Sequence, residues 1–425
     1  MSDSPSAWIM TIGNEIINGV ITDTNRENIS RELRSVGISV RGMSSVRDVE
    51  EEIVDALKYA MEKAEITIVS GGLGPTEDDK TAVSAAMLLG EDLVLNEEQL
   101  QRIRDRFTRM GRPMSPSNTK QAMMPRSCAP LPNDYGTAPG FAIEHSKRYA
   151  LFFPGIPAEL IPMLREQGFP FIWNRIGGKR KSFRNKTTIV FGYTESRLGE
   201  ILSDIARDTE DCHLAFLPRF PVIRLRIDAM GSTDREADDI VEAKQVQIRQ
   251  RITENIISET GASIEVVVIR LLEERNLTLS LAESITGGLI GEMITRVAGA
   301  SRTFMGSLVS YSNELKTDVL NVPKRVIEQH GAVSHECAKA MALGARLTGR
   351  SNVGLSVTGI AGPDGGSPTK PVGTFFVGMS TDETLMSRRF LMPGKREWVK
   401  TLAAMQTLDT LRRSLLGYRL HGDLD

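Results

Sequence analysis

Hydrophobic positions switch repeatedly between a spacing of two and a spacing of three to four, and the switches divide the chain into segments. Residues 8–12 read as an apolar strand, 24–35 as a helix and 38–46 as a second strand. Glu50–Lys63 carries Ile53, Val54, Leu57 and Ala60 on one helical face. The short apolar run Ile66–Ser70 predicts a third strand that enters Gly71-Gly72-Leu73-Gly74-Pro75-Thr76. Residues 152–157 close another strand on a Pro-Gly-Ile-Pro turn. Strand and helix alternating in this way call for a mostly parallel sheet covered by helices.

The middle of the chain has a different rhythm. Residues 187–191 read as a strand, and Thr194 can cap a helix carrying Leu198, Ile201, Leu202 and Ile205. Ile223, Leu225, Ile227 and Ala229 alternate with Arg224, Arg226 and Asp228, which predicts a half-buried strand. A long amphipathic helix follows through Ile240, Val241, Ile248 and Ile252. The basic stretch 179–186 before this unit reads as a solvated linker. From 264 the α/β rhythm returns: a helix at 264–275, strands at 277–282, 304–311, 353–358 and 372–379, and a closing helix with Trp398, Leu402, Met405, Leu408 and Leu415 on one face. The expected architecture is therefore α/β: two α/β domains with mostly parallel sheets, at 1–177 and 263–421, joined by a small α+β domain at 186–258.

Length supports several cores, because 425 residues exceed what one ordinary domain holds. A net charge of −2 gives no bulk attraction to nucleic acid or an anionic membrane, so neither partner is expected. Apolar runs are strand-sized, which predicts no membrane span, and the first residues lack the basic-then-apolar order of a secretory signal. Cys128, Cys212 and Cys337 lie far apart and form no CxxC pair, as in a cytoplasmic protein. The five histidines show no HxxxH, HxH or HExxH spacing, so no dedicated zinc site is expected.

Candidate chemistry concentrates at two strand ends. Leu279-Ser280-Leu281-Ala282-Glu283-Ser284-Ile285-Thr286-Gly287-Gly288 reads as a buried strand, a sharp loop and a helix start. Ser284 is thus a candidate nucleophile beside unpaired helix-terminal N–H groups, with Thr286, Gly287 and Gly288 as oxyanion donors. Amide hydrolysis without His, Cys or zinc can use a lysine held partly neutral, and Tyr311 and Lys316 follow the next strand. Thr358-Gly359-Ile360-Ala361-Gly362-Pro363-Asp364-Gly365-Gly366 lets backbone approach a phosphate. Together these suggest a phosphorylated, amide-bearing substrate outside the carboxyl ends of the strands. The residues alone leave plainer readings open: Ser284 as a helix cap, Tyr311 and Lys316 as a surface pair, the glycine loop as a long turn. In the first domain, 71–79 combines glycines with Thr76, Asp78 and Asp79; the aspartates suit a divalent ion or a polar head group, or simply cap the next helix.

Four motifs of the last domain resemble the CinA family, also called competence/damage-inducible protein: Ala282–Gly288 as quoted above, Ser310-Tyr311-Ser312-Asn313-Glu314-Leu315-Lys316, His330-Gly331-Ala332-Val333-Ser334, and Val357-Thr358-Gly359-Ile360-Ala361-Gly362-Pro363. The resemblance implies a nicotinamide-nucleotide amidase, converting nicotinamide mononucleotide to nicotinate mononucleotide and ammonia without a cofactor. It implies Ser284 as nucleophile, Lys316 as base, Tyr311 as proton relay or stabiliser, and Thr358, Gly359, Gly362, Gly365 and Gly366 around the phosphate. Isoleucine stands at 285 where the family usually has cysteine, and Gly394-Lys395-Arg396 lacks the Asp that often precedes the arginine. The first domain shares with the family Gly13-Asn14-Glu15, Asp23-Thr24-Asn25, 71–79, Asn118-Thr119-Lys120-Gln121-Ala122 and Gly136-Thr137-Ala138-Pro139-Gly140. This implies a molybdopterin-binding-like fold with a nucleotide site at Glu15, Asn25, Gly71, Gly72, Gly74, Thr76, Asn118, Lys120, Gly136 and Thr137. Some relatives cleave ADP-ribose there with a divalent metal, for which Asp78 and Asp79 are the candidates; a non-catalytic pterin- or nucleotide-binding scaffold is the other reading. The middle unit resembles a KH-like domain without a GxxG clamp, which implies a structural or contact role. A homodimer is expected by resemblance alone.

Overall fold

The computed structural model describes all residues except 1–4, 177–180, 208, 210, 422 and 425, with 423–424 described in backbone only. Contacts divide the chain into two compact units, 1–184 with 229–240 and 185–228 with 241–425.

The first unit is built on a six-stranded sheet in the order Ser39–Val46, Ser6–Ile12, Ile66–Ser70, Arg148–Phe153, Gly140–His145, Ala129–Leu131. The first four strands run parallel and the last two are antiparallel. Successive side chains go to opposite faces, so Ile9, Ile68 and Phe153 pack in one core cluster and Met10, Val69 and Phe152 in another. A sheet buried on both sides needs unbroken apolar strands, and every residue of Ile66–Ser70 is buried. Thr24–Ser35 covers one face through Ile29 and Leu33, and Glu50–Lys63 the other through Ile53 and Leu57. The chain leaves the Ser6–Ile12 strand toward one edge and later returns to its other side. A crevice therefore opens at the carboxyl ends of the central strands.

Residues 182–258 contain a four-stranded sheet in the order Cys212–Arg219, Val222–Gly231, Ser182–Val190, Ile256–Ser258. Thr194 caps Glu195–Ile201, accepting from the Arg197 N–H. The linker reading of 179–186 is corrected here. Lys179 and Arg180 lie outside the described residues, but Ser182–Val190 is a strand. Its charges are paired across the surface: Arg184 with Asp234 and Asp238, and Lys186 with Glu242 and Glu259.

The last sheet has the order Phe304–Val309, Leu279–Glu283, Val353–Gly359, Thr374–Ser380, Leu385–Leu391, Asp423–Leu424. Its first three strands are parallel; the rest are antiparallel, so the parallel order covers half of it. Ile264–Glu274, Leu289–Thr295 and Arg396–Leu416 pack with Leu281, Leu355 and Val357 in one cluster. His335–Gly349 covers the other face, with Cys337, Met341 and Ala345 against Ala282. Among the described residues no helix is long and apolar enough to cross a membrane.

Candidate active site

Ser284 and Lys316 meet because their strands are neighbours. Leu279–Glu283 and Phe304–Val309 pair in parallel, with Glu283 opposite Val309. Both loops therefore leave the same edge of the sheet at the same level. The ladder extends one step further: Ser310 N–H donates to the Glu283 carbonyl at 2.8 Å, and Ser284 N–H to the Val357 carbonyl at 3.0 Å. Lys316 lies in the helix Asn313–Asp318, whose start is capped by the Ser312 side chain. Its side chain turns back under the loop and is 1% exposed.

The Lys316 ammonium nitrogen lies 3.1 Å from Ser284 Oγ, 2.8 Å from the Ser310 carbonyl and 3.3 Å from the Tyr311 carbonyl. A neutral amine has two hydrogens and one lone pair. The two carbonyls can take the hydrogens, which leaves the lone pair to accept the Ser284 hydroxyl proton. Burial holds the Lys316 pKa below the usual lysine value, against an opposing pull from Cys337 and Glu314. Cys337, also buried, has its thiol pushed up to about 11, so it stays protonated near neutrality.

Glu283 has a part that the sequence reading missed. It is fully buried directly before the serine. Its Oε2 accepts from Thr286 Oγ1 at 2.7 Å, Gly288 N–H at 3.1 Å and Ile290 N–H at 3.0 Å. Its Oε1 accepts from Gly291 N–H at 2.8 Å and Ser307 Oγ at 2.7 Å. The positive end of the helix Leu289–Thr295 is thus filled by the protein's own carboxylate. This corrects the expectation for Thr286, Gly287 and Gly288: the Thr286 hydroxyl and Gly288 N–H are engaged by Glu283, Gly287 N–H closes a turn on the Ser284 carbonyl, and none of the three lines the cavity. A signal existed in the sequence, since a carboxylate between a buried strand and a helix start is the anion such a terminus attracts.

The cavity over Ser284 measures about 290 Å³. Thr358, Gly359, Gly362 and Gly365 line it as expected; Gly366 does not. The Thr358 hydroxyl donates to the Ala332 carbonyl at 2.8 Å, so this residue contributes wall rather than a free donor. Tyr311 lines the same cavity, but its hydroxyl accepts from Arg396 at 3.2 Å. Arg396 also donates to the Gly362 carbonyl at 2.7 Å and so bridges the glycine loop and the tyrosine. The sequence offered Arg396 only through the Gly394-Lys395-Arg396 stretch, because its lining position depends on how the closing helix starts.

The first unit holds a larger cavity, of about 520 Å³, at the expected crevice. Glu15, Asn25, Gly71, Gly72, Gly74, Thr76, Asp78, Asp79 and Thr137 line it. Gly71 has φ of +109°, and a side chain there would drive into the Ile12 carbonyl. Asn25 ties Ser70 Oγ at 2.9 Å to the Gly155 carbonyl at 2.6 Å across the strand ends. Three expected residues stand back from this cavity. Asn118 is buried and donates to Gln121 at 3.0 Å. Gly136 makes room for Glu159, whose carboxylate an added Cβ would meet. Lys120 lines an adjoining cavity of about 230 Å³ and donates to the Thr76 carbonyl. Among the described residues no lysine or arginine lines the larger cavity, which instead carries Glu15, Asp23, Asp48, Asp78, Asp79 and Glu159. Burial, reinforced by the Glu15, Asp79 and Asp78 charges, raises the Asp48 pKa against a backbone hydrogen bond from Asn14. Asp79 Oδ2 accepts from Thr76 N–H at 2.9 Å and its hydroxyl at 2.6 Å.

Fold and site define a multidomain α/β protein with a serine–lysine pair at one set of strand ends and a glycine-loop cavity at another. Three family models match it in order: "Probable molybdopterin binding domain" over 8–173, "Damage-inducible protein CinA KH domain" over 185–258 and "CinA C-terminal domain" over 261–415. A CinA-like protein of Geotalea uraniireducens is 40% identical, covering 96% of this chain and 97% of its own. A putative competence-damage inducible protein of Thermoanaerobacter pseudethanolicus is 38% identical, over 97% and 99%. A solved CinA protein of Thermoplasma acidophilum matches 40% of this chain and all of its own at 34% identity, with a TM-score of 0.38. The chain belongs to the CinA family.

Proposed function

We propose that the C-terminal domain hydrolyses the carboxamide of nicotinamide mononucleotide. The observation that carries this reading is the buried Lys316 amine 3.1 Å from Ser284 Oγ, at the floor of a cavity walled by a glycine loop and Arg396. Ser284 Oγ attacks the carboxamide carbon while its proton passes to the neutral Lys316 amine. The tetrahedral adduct collapses, the C–N bond breaks, and Lys316 returns that proton to the departing nitrogen as ammonia leaves. Water then attacks the acyl-enzyme, gives a proton to Lys316, and releases nicotinate mononucleotide; Lys316 reprotonates Ser284. The Glu283 network does not engage the Ile285 N–H, and we assign that donor to the oxyanion in place of 286–288. The glycine loop and Arg396 take the phosphate, and the Tyr311 hydroxyl helps hold Arg396 in place. Incubation of the purified protein with nicotinamide mononucleotide should release ammonia, and Ser284→Ala should stop it. Full activity in that variant would sink the mechanism.

The first unit's cavity supports a second ligand site, for a nucleotide such as ADP-ribose, on the strength of its glycine-rich strand end. A preformed divalent-metal site does not fit. Among the described residues no three His, Cys, Asp or Glu side chains gather to hold an ion, and one Asp79 oxygen is turned into its own loop. We derive no metal step there.

A further inference from the structure

The closing helix Arg396–Leu416 begins at the catalytic cavity and ends against the middle segment. At its far end Arg412 is 1% exposed and donates to the Ile256 carbonyl at 3.0 Å and the Glu254 carbonyl at 2.6 Å. The core facing this helix includes Ile189, Phe191 and Ile257 of the middle segment. At its near end the first turn is poorly anchored: Lys395, Arg396, Glu397 and Trp398 are all exposed, and Val399 is the first buried side chain. Yet Arg396 in that turn must hold the Gly362 carbonyl and the Tyr311 hydroxyl across the cavity.

The turn between Cys212–Arg219 and Val222–Gly231 reaches this place. Phe220, at its tip, packs on Trp398 with ring centroids 5.1 Å apart and planes at 32°. Each ring is half exposed. Each ring covers part of the other, and an aromatic pair in this geometry stabilises beyond the area it buries.

We propose that the middle segment positions the amidase cavity: Phe220, through Trp398, fixes the first turn of the closing helix so that Arg396 spans the glycine loop and Tyr311. Phe220 touches neither Ser284 nor substrate and is a positioning residue. The role in substrate affinity rests on the amidase reading; the mechanical link does not. This gives the small domain, which lacks a GxxG motif, a mechanical role: it contacts both ends of one helix.

The test uses the full chain with Phe220→Ala and Phe220→Tyr. Hydrogen exchange of the 399–402 amides should quicken in Phe220→Ala and return to the wild-type rate in Phe220→Tyr, with Leu279–Glu283 unchanged in both. An aromatic pair of this kind should move KM for nicotinamide mononucleotide by about fivefold with kcat nearly constant. Nicotinamide riboside, lacking the phosphate, should show no such change. Unchanged exchange overturns the link outright. Faster exchange with unchanged KM overturns the effect on the cavity. If wild-type protein turns over nothing, calorimetric binding of nicotinate mononucleotide replaces KM: weaker binding in Phe220→Ala supports the proposal while the amidase reading falls, and equal binding overturns both.

Discussion

The two candidate site cavities sit at equivalent places in their sheets and differ in what they bury. The larger one, in the first unit, is lined by glycines and carboxylates, with no lysine or arginine among the described residues that line it. The smaller one has a lysine removed from solvent against a serine. Volume alone would favour the first as the reactive site. Burial of one amine at hydrogen-bond distance from one hydroxyl favours the second, because desolvation, here the cause of the lowered Lys316 pKa, prepares an amine to accept a proton. A cavity's size reports what can enter, whereas reactivity follows the groups that the fold has paid to dehydrate.

The sharpest way to break this contrast is Ser284→Ala. Ammonia release should fall on the order of 10³-fold or more, since nucleophile and base act as a unit. Binding of nicotinate mononucleotide should persist, which calorimetry would check. Lys316→Met should reduce kcat similarly with little change in KM.

Charge at Glu283 comes next. Glu283→Gln keeps the shape but turns a donor toward a set of donors, and should lower stability by about 3 kcal/mol, read by urea denaturation. A loss below 1 kcal/mol would mean that the helix terminus does not need this anion.

The pH dependence refines the comparison. As the proposed base Lys316 works only when neutral, and burial holds its pKa below the ordinary 10.5. Thus kcat/KM should climb as pH rises through that lowered value and level off before 10.5. A rising limb at the unshifted lysine position would show that burial does not activate the amine.

Smallest is the effect of Asp79→Ala. It removes the acceptor for Thr76 N–H and should cost about 1 kcal/mol in the first unit, while ammonia release stays within about twofold. Loss of amidase activity in this variant would show that the two cavities are not independent.

Much of the fold was legible because burial writes itself into periodicity. Ile66–Ser70 is apolar throughout because both of its faces are covered, and Glu50–Lys63 shows a helical stripe because one face is. The second half of the strand Ser182–Val190 was legible, but its first half was hidden: Arg184 and Lys186 suggested solvent, and their acidic partners lie 50 or more residues away. The same limit applied to the site. Ser284, Lys316 and the glycine loop sit in local motifs. Whether Thr286 and Gly288 were free donors depended on where the Glu283 side chain pointed, and no linear pattern states a rotamer. Arg396 was seen but undervalued, since its partners Gly362 and Tyr311 belong to two other strand ends.

One consequence follows from the rung at which Glu283 faces Val309. Ser284 directly follows Glu283, and the loop that leads to Lys316 starts directly after Val309, so sheet pairing acts as a ruler for the proposed reaction. Phe304–Val309 is an edge strand, held by a single neighbour. Fraying of that edge would carry Lys316 away from Ser284 before any core residue moved. The protein can therefore lose its chemistry while remaining folded, and the temperature at which turnover fails should lie below the temperature at which the sheet melts.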